Sequence, residues 1–540
     1  MMDTEDEESS DSSSSDEEEE ASVSRRRKKS PQKIHVQFKK KNVSAAAAAK
    51  KRNAISKAPP KSRALDTLKR KVLDPKESPE NSLTAAILEA CTSKDKKKPY
   101  EEEESTNSTI TRYPDAFLPT AYTAALEPLA KQVLQQYQQD ANKAHVALLN
   151  LVFRSVGGSY NTALDPETTN LEDMDDDQWE QVVTSIVDDM RLTPPDSILF
   201  CACPKGALYY NNENNKHSVA QEEYRQIYEH FWYLLGTLGL STSASSGTEH
   251  ASSFDIERIR DLALRMMELV TVGQPDLRAA AAVAALQLAI AACDSTLDFR
   301  TRLMTAKRQL KAAKQAKTST KQKALQNTVA TLERTGDDLE QVVLETIVPG
   351  VFMRRYRDSD PYIRAACIDA LANMTLQRPD LFLTDTYLKY FGWMMSDKHP
   401  VVRVTAIKGL KAPLVRAQEQ EESSAHVHPL SKINVANMEK LIDKFMPRIS
   451  DCVVDVSLQV QEEGMALLIV LLRHGFMDDL EDNHFWNKIN LRALAADTTA
   501  KVRRDALYFV LDQLEMFDEE AANVSPERQQ VERILSIATW

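Results

Sequence analysis

Apolar residues recur at helical spacing through most of this chain. In Phe254–Val270 and Met438–Ser450, large apolar side chains return every three or four residues, which is the period of a helix with one buried face. Only 13 glycines occur in 540 residues. Glycine scarcity disfavours folds that need many tight strand-to-helix turns or phosphate-binding loops. The pattern predicts an all-α protein.

A polar motif interrupts these helical segments at a regular interval. An aspartate stands six residues before an arginine at Asp358–Arg364, Asp397–Arg403 and Asp497–Arg503, and Asp455–Gln461 keeps the spacing. The widest interval contains a polar loop, Arg416–Lys432, and the other intervals are close to 40 residues. This period is typical of HEAT-type helix pairs stacked into a solenoid. We expect each acid to accept backbone N–H groups where a second helix begins, and each arginine to reach an acid of its own or the adjacent repeat.

Charge is strongly segregated at the N-terminal end. Residues 1–20 hold eleven acids and no base, and residues 25–71 hold eighteen bases and one acid. Because the whole chain carries −12, residues 72–540 carry −18. Residues 1–110 have few large apolar residues, so we predict a disordered tail. Its basic cluster adjoins a Ser-Pro-x-Lys site at Ser30, which suggests nuclear import and phosphorylation by a proline-directed kinase, or else a simple solvated charge run.

A second basic segment lies inside the helical body. Residues 299–323 contain nine bases and no acid, and acids return in the helical pattern that follows. We predict two long antiparallel helices, one of them strongly basic. Such a hairpin could grip the backbone of duplex DNA without reading its sequence, or it could be only a solvated hairpin. The candidate DNA-binding residues are Lys307, Arg308, Lys311, Lys314 and Lys317.

Several other classes of function lack residues to support them. The six cysteines are scattered without CxxC spacing, and His426 and His428 have no metal-ligand partners at suitable spacing. We therefore expect no metal and no cofactor. The longest apolar run, residues 279–293, is too short to span a membrane. No Walker-type loop or nucleophile elbow occurs, so we expect neither an enzyme nor a small-molecule substrate.

Three stretches resemble the stromal-antigen (STAG) family of cohesin subunits. They are FMRRYRDSDPYIRAACIDAL, FLTDTYLKYFGWMMSDKHPVVRVTAIKGL and KFMPRISD, all within residues 352–451. The resemblance implies a non-enzymatic HEAT solenoid of nuclear chromatin. Such a protein binds the cohesin kleisin subunit, and through it the SMC core, holds duplex DNA, and receives regulator peptides with aromatic motifs. It would serve sister-chromatid cohesion and chromosome organisation.

Carried over by position, the resemblance also implies a peptide- and kleisin-binding site. Its aromatic walls would be Tyr356 and Trp393, with Arg357 beside them. The family has arginine where this chain has Lys444, and an ammonium group cannot reproduce the two-point hydrogen bonding of a guanidinium. We therefore expect Lys444 to contribute less to peptide affinity than the family's arginine.

These observations together predict a domain order. The predicted parts are a disordered tail (1–110), a STAG-like helical region (115–295), a basic hairpin (296–346), a stromalin conservative segment (347–415) and further HEAT-type repeats (433–540). Family members are considerably longer, so we expect a short form or a truncated sequence. The alternative is a nuclear helical-repeat adaptor for transport or histone binding, but that class gives no account of residues 347–411.

Overall fold

The computed structural model describes residues 62–92, 120–159, 163–193, 198–200, 216–245, 256–315, 319–422, 431–477, 483–494 and 497–509. Predictions for most of the tail, including Ser30, and the prediction for Lys317 lie outside these residues. Every regular element in the described part is helical, which confirms the predicted fold class.

The helices follow one another with short connections. A π-helix, Val342–Phe352, and a 3₁₀ turn, Val435–Met438, interrupt the α-helices, and residues 500–509 are also helical. The α-helices are α1 (Ser62–Val72), α2 (Leu83–Thr92), α3 (Thr120–Gln139), α4 (Ala141–Ser155), α5 (Asp176–Leu192), α6 (Lys216–Ser245), α7 (Ile256–Leu269), α8 (Pro275–Gln315), α9 (Ser319–Gln341), α10 (Met353–Arg355), α11 (Pro361–Gln377), α12 (Pro379–Phe382), α13 (Asp385–Met394), α14 (Pro400–Glu422), α15 (Glu439–Cys452), α16 (Leu458–Arg473) and α17 (Asn483–Leu494).

Stacking of alternate helices generates the repeat architecture. Helix α8 packs against α6 and α11, α11 packs against α14, and α14 packs against α16. The partner helices α13 and α15 contact each other and cover the same row from one side. Each helix pair therefore buries its apolar face only against its neighbours, as in a helical-repeat solenoid.

Local capping explains where the stacked helices begin. The carboxylate of Asp360 accepts the N–H groups of Tyr362 and Ile363, and Pro361 occupies the first turn of α11. Proline suits this position because its missing N–H would have no partner in the helix. Pro400 opens α14 in the same way. The recurring motif thus marks the turn between the two helices of a pair.

The motif residues connect successive repeats. Arg364 donates from Nη1 to the carbonyl oxygen of Asp358 at 2.7 Å, and its Nε and Nη2 donate to the carboxylate of Asp397 in the next repeat. Arg403 donates to the carbonyl of Asp397 at 2.8 Å and to the carboxylate of Asp455 at 2.6 Å. Each arginine therefore ties its own turn to the acid of the following repeat. We call this series the Asp–Arg ladder.

The ladder extends at both ends in altered form. Arg278 forms a two-point ion pair with Asp358 and donates to the carbonyl of Val272, six residues before it. Gln461, at the position of an arginine, donates to the carbonyl of Asp455 and accepts from the hydroxyl of Thr498. The backbone contact survives in both cases, although the acid or the arginine has been replaced.

Helix α8 supplies the centre of the described core. Its proximal half, rich in alanine, is buried, and Gly236 of α6 packs so closely that a Cβ there would lie 2.6 Å from the Cβ of Ala291. Among described helices, α8 is long and apolar enough to cross a membrane, with a mean hydropathy of 1.6 over 18 residues. However, 94% of that window is buried in protein, as in a core helix.

Candidate functional site

An aromatic cluster forms where α13 meets the turn after α10. Tyr390 lies at its centre, with ring centroids 4.8 Å from Tyr356 and 5.4 Å from Trp393. Phe352 closes the buried side at 5.0 Å from Tyr390. All three contacts are edge-to-face, the geometry that aromatic quadrupoles favour. The predicted residues Tyr356 and Trp393 thus lie on opposite sides of one ring.

Two neighbouring elements hold this cluster in place. Tyr390 and Trp393 are three residues apart on α13 and therefore lie on one helix face. Gly392 lies beside them, and a Cβ at that position would collide with the ring of Phe445 on α15. On the other side, the buried carboxylate of Asp358 accepts from Arg278 and Arg355, which fixes the turn that carries Tyr356.

Two cations flank the exposed part of the cluster. The guanidinium of Arg357 lies 5.1 Å from the Tyr356 centroid and 5.9 Å from that of Trp393. The ammonium of Lys389 lies 5.4 Å from Tyr390 and 5.5 Å from Trp393. Trp393 remains 40% exposed, whereas most large apolar side chains of the described residues are buried. An exposed indole between two cations can stack on an incoming apolar or aromatic group.

Lys444 stands beside this cluster on α15. It is exposed, and its ammonium lies 5.7 Å from the ring of Phe445, which in turn packs on Gly392. The structure therefore brings Tyr356, Arg357 and Trp393 into direct contact and connects Lys444 to them through Phe445. Sequence reasoning missed Tyr390, Lys389 and Phe352. The spacing of Tyr390 and Trp393 was the available signal.

Electrostatics differ between the buried and exposed parts of the site. Burial by itself would raise the pKa of Asp358, but hydrogen bonds from Arg278, the Asp360 N–H and Arg355 lower it to about 2. Burial, followed by the nearby Tyr356, raises the pKa of Tyr390. Its hydroxyl stays protonated and donates to the Met353 sulfur at 3.8 Å. The anchoring carboxylate is thus charged, and the central ring is neutral.

The basic segment forms one arm of a helical hairpin. Helices α8 and α9 run antiparallel, with Lys307 paired to Glu333 at 2.6 Å and Gln322 donating to the carbonyl of Ala313 at 2.9 Å. At the base, Glu340 accepts from Arg300 at 2.8 Å and from the buried Arg378 at 3.0 Å. The hairpin is therefore tied to the repeat that follows it.

The bases of the hairpin divide into paired and unpaired groups. Arg300, Arg302 and Lys307 form ion pairs with nearby acids. Farther from the core, five exposed bases have no ion pair with any described carboxylate: Arg308, Lys311, Lys314, Lys321 and Lys323. The unpaired charge therefore concentrates toward the hairpin tip. Of the predicted residues, Lys307 is the one whose charge is already balanced.

Comparison with known proteins adds a family assignment to this geometry. The Stromalin conservative domain profile matches residues 357–427, which include Arg357 and Trp393. Cohesin subunit SA-3 of Mus musculus is 34% identical over 138 residues, and Sister-chromatid cohesion protein 3 of Arabidopsis thaliana is 34% identical over 137 residues. The chain belongs to the cohesin SA/Scc3 family.

The extent of the similarity is uneven across this SA/Scc3 family member. The two alignments cover 26% and 25% of the chain, but only 10% and 11% of those relatives. Cohesin subunit psc3 of Schizosaccharomyces pombe is 26% identical over 186 residues, covering 34% of the chain and 17% of the relative. The solved cohesin subunit Scc3 of Z. rouxii (residues 88–1035) matches with a TM-score of 0.56 at 18% identity, covering 74% of this chain and 42% of that one. That likeness shows a shared fold.

Proposed function

We propose that this protein is a non-enzymatic scaffold subunit of cohesin. It binds the kleisin subunit, and through it the SMC core, on chromatin in the nucleus, and it supports sister-chromatid cohesion and chromosome organisation. The observation that carries the proposal is the position of the Stromalin conservative domain match, which falls on the aromatic site of a repeat fold shared with Scc3. Relatives named as cohesin subunits support the same role.

The aromatic cluster is the proposed receptor for regulator peptides. Tyr356 and Trp393 supply apolar surface, Arg357 adds positive charge, and Lys444 borders the site. A partly exposed aromatic residue that is held by its neighbours loses little side-chain freedom on binding, which favours affinity. A peptide with an aromatic side chain is therefore the partner that this surface suits best.

The hairpin tip is the proposed contact with duplex DNA. Arg308, Lys311 and Lys314 lie on one arm, and Lys321 and Lys323 lie on the other. Residues 72–540 carry a formal charge of −18, so DNA must engage a local basic patch rather than the body as a whole. Lysine and arginine without aromatic neighbours favour backbone contact that is independent of sequence.

Affinity capture from nuclear extract tests the whole proposal. The tagged full chain is used as bait, and the captured proteins are identified by mass spectrometry. We expect the kleisin and SMC subunits of cohesin to be enriched above all others. Enrichment of import receptors or histones without cohesin subunits would favour a nuclear adaptor instead and would contradict the proposal.

A further inference from the structure

The π-helix Val342–Phe352 joins the basic hairpin to the aromatic site, and its own sequence favours the wide turn. Its backbone keeps a five-residue hydrogen bond, from the N–H of Met353 to the carbonyl of Val348. An α-helix buries positions three or four residues apart, whereas steps of five and four suit a helix with more residues per turn. The buried large side chains come in three pairs with those steps: Val342 and Val343, Ile347 and Val348, Val351 and Phe352.

A glycine contact fixes the position of this helix against α7. Gly350 is buried and packs against Met267, and a Cβ at that position would collide with the methionine side chain. The absence of a side chain therefore allows a close approach of the two helices. Any change of register would replace Gly350 at this contact with a bulkier residue.

The last residue of the π-helix is the floor of the aromatic site. Phe352 is fully buried and stacks on Tyr356 with centroids 5.9 Å apart and planes 18° apart. The N–H of Tyr356 donates to the carbonyl of Phe352 at 2.9 Å, so α-helical spacing resumes there. Because the chain is helical without a break from Ser319 to Arg355, the register of the π-helix determines the direction of Tyr356.

We propose that the π-helix positions the peptide-binding site, with Gly350 and Phe352 as its positioning residues. This inference rests on the proposed peptide-binding function and deepens it. The wide turn places Phe352 under Tyr390 and orients Tyr356 toward Arg357. One residue fewer in this segment would leave a helix but turn the site.

Deletion of Glu345 is the direct test. Glu345 is exposed, and its removal would shorten the first five-residue steps to four, a spacing an α-helix accommodates. The segment should stay helical, while Tyr356 turns relative to α9 by roughly 100°, the rotation of one α-helical residue. The site would lose its geometry without losing any of its own residues.

Two readouts on the full-length chain separate the possible outcomes. The first is the affinity for a short fluorescein-labelled peptide with a central phenylalanine. The second is ¹⁹F NMR of 5-fluorotryptophan, with the Trp393 signal assigned by W393F. We expect peptide affinity to fall by about tenfold or more, the Trp393 signal to shift, and helical circular dichroism to stay unchanged. Unchanged affinity and an unchanged signal would overturn the inference.

Failure of the peptide-binding proposal is visible separately. If the wild-type chain does not bind the peptide, the proposed function fails, whereas the ¹⁹F signal still reports whether the π-helix positions Trp393 and its neighbours. A shifted Trp393 signal with the signals of buried Trp179 and Trp232 in place would support the structural part of the inference.

A second pair of variants avoids any deletion. Gly350→Ala should push the π-helix away from Met267 and weaken peptide binding by about fivefold. The double variant Gly350→Ala with Met267→Ala restores the space and should return affinity to within about twofold of wild type. Wild-type affinity in Gly350→Ala, or no rescue in the double variant, would overturn the positioning role of Gly350.

Discussion

Arg364 and Asp397 form a two-point ion pair across the boundary between neighbouring repeats, with N–O distances of 2.8 and 2.7 Å. Their side chains are only 13% and 9% exposed. The same guanidinium also caps its own turn through the carbonyl of Asp358. One side chain therefore satisfies polar groups of two repeats at once.

Breaking this pair should destabilise the repeat array. Removing one partner of a buried, hydrogen-bonded charge pair leaves the other charge uncompensated, so Arg364→Leu should cost about 3 kcal/mol of unfolding free energy. Urea denaturation followed by circular dichroism measures the change. A double-mutant cycle with Asp397→Ala should show a coupling of about 1 kcal/mol or more.

An exposed pair provides the matched control. Arg191 and Asp188 are 70% and 59% exposed and make a 2.8 Å contact. Arg191→Leu should change stability by less than about 0.5 kcal/mol. Equal effects of the two arginine substitutions would show that the Asp–Arg ladder contributes no more than a surface pair.

A buried histidine should make stability depend on pH. Burial, followed by the charges of Arg258 and Arg265, lowers the pKa of His145 from 6.5 to about 4. Because the folded pKa lies below the unfolded one, protonation favours unfolding. The contribution is complete above pH 6.5 and is lost as the pH falls toward 4. Between about pH 7.5 and 5 this group should cost about 2 kcal/mol. His145→Gln should remove that part of the pH profile, and an unchanged profile would exclude His145 as its source.

Trp393 should matter more for peptide binding than for folding. Trp393→Ala should weaken the affinity for an aromatic peptide by about 2 kcal/mol, roughly 30-fold, because it removes the exposed anchor of the site. The stability loss should stay within about 1 kcal/mol, since the indole is partly exposed already. Fluorescence anisotropy and thermal denaturation measure the two quantities.

Trp232 is the control for this substitution. It is fully buried and lies away from the site on α6, so Trp232→Ala should cost about 3 to 5 kcal/mol of stability through the cavity it leaves. If Trp393→Ala behaves like Trp232→Ala in melting and retains peptide affinity, Trp393 is a packing residue and the peptide site lies elsewhere.

The unpaired bases of the hairpin should carry the salt dependence of DNA binding. Neutralising Arg308, Lys311 and Lys314 to Gln should reduce the slope of log affinity against log salt by about 2 to 3, because fewer counterions are released. The paired bases are the control: Arg302→Gln with Lys307→Gln should change the slope less, since nearby acids already balance them. Equal slopes in wild type and the triple variant would remove the hairpin from the DNA contact.

The repeat fold was predictable because the six-residue interval is strict, but half of the ladder was not. The sequence does not say whether an arginine meets the acid of its own turn or of the next repeat, since that depends on how helices stack. Arg278 escaped notice because Val272 stands six residues before it, and the contact uses a backbone carbonyl that any residue supplies.

The candidate site shows the same division. Tyr356 and Trp393 came from the family resemblance, whereas Tyr390 between them was missed because buried and exposed aromatic residues look alike along a helix. Counting charges found the basic hairpin but could not separate Lys307 from Lys311. The acid that neutralises Lys307 lies on the opposite arm, and only the pairing of α8 with α9 reveals it.

The most direct test of the account is the association of the purified full-length chain with the purified kleisin subunit of cohesin. Isothermal titration calorimetry, with the stoichiometry checked by light scattering, measures it. A scaffold subunit that binds kleisin along its length should give a one-to-one complex with a submicromolar dissociation constant, which corresponds to a binding free energy beyond about −8 kcal/mol. No binding heat and no complex, from a chain shown by circular dichroism to be folded, would contradict the account.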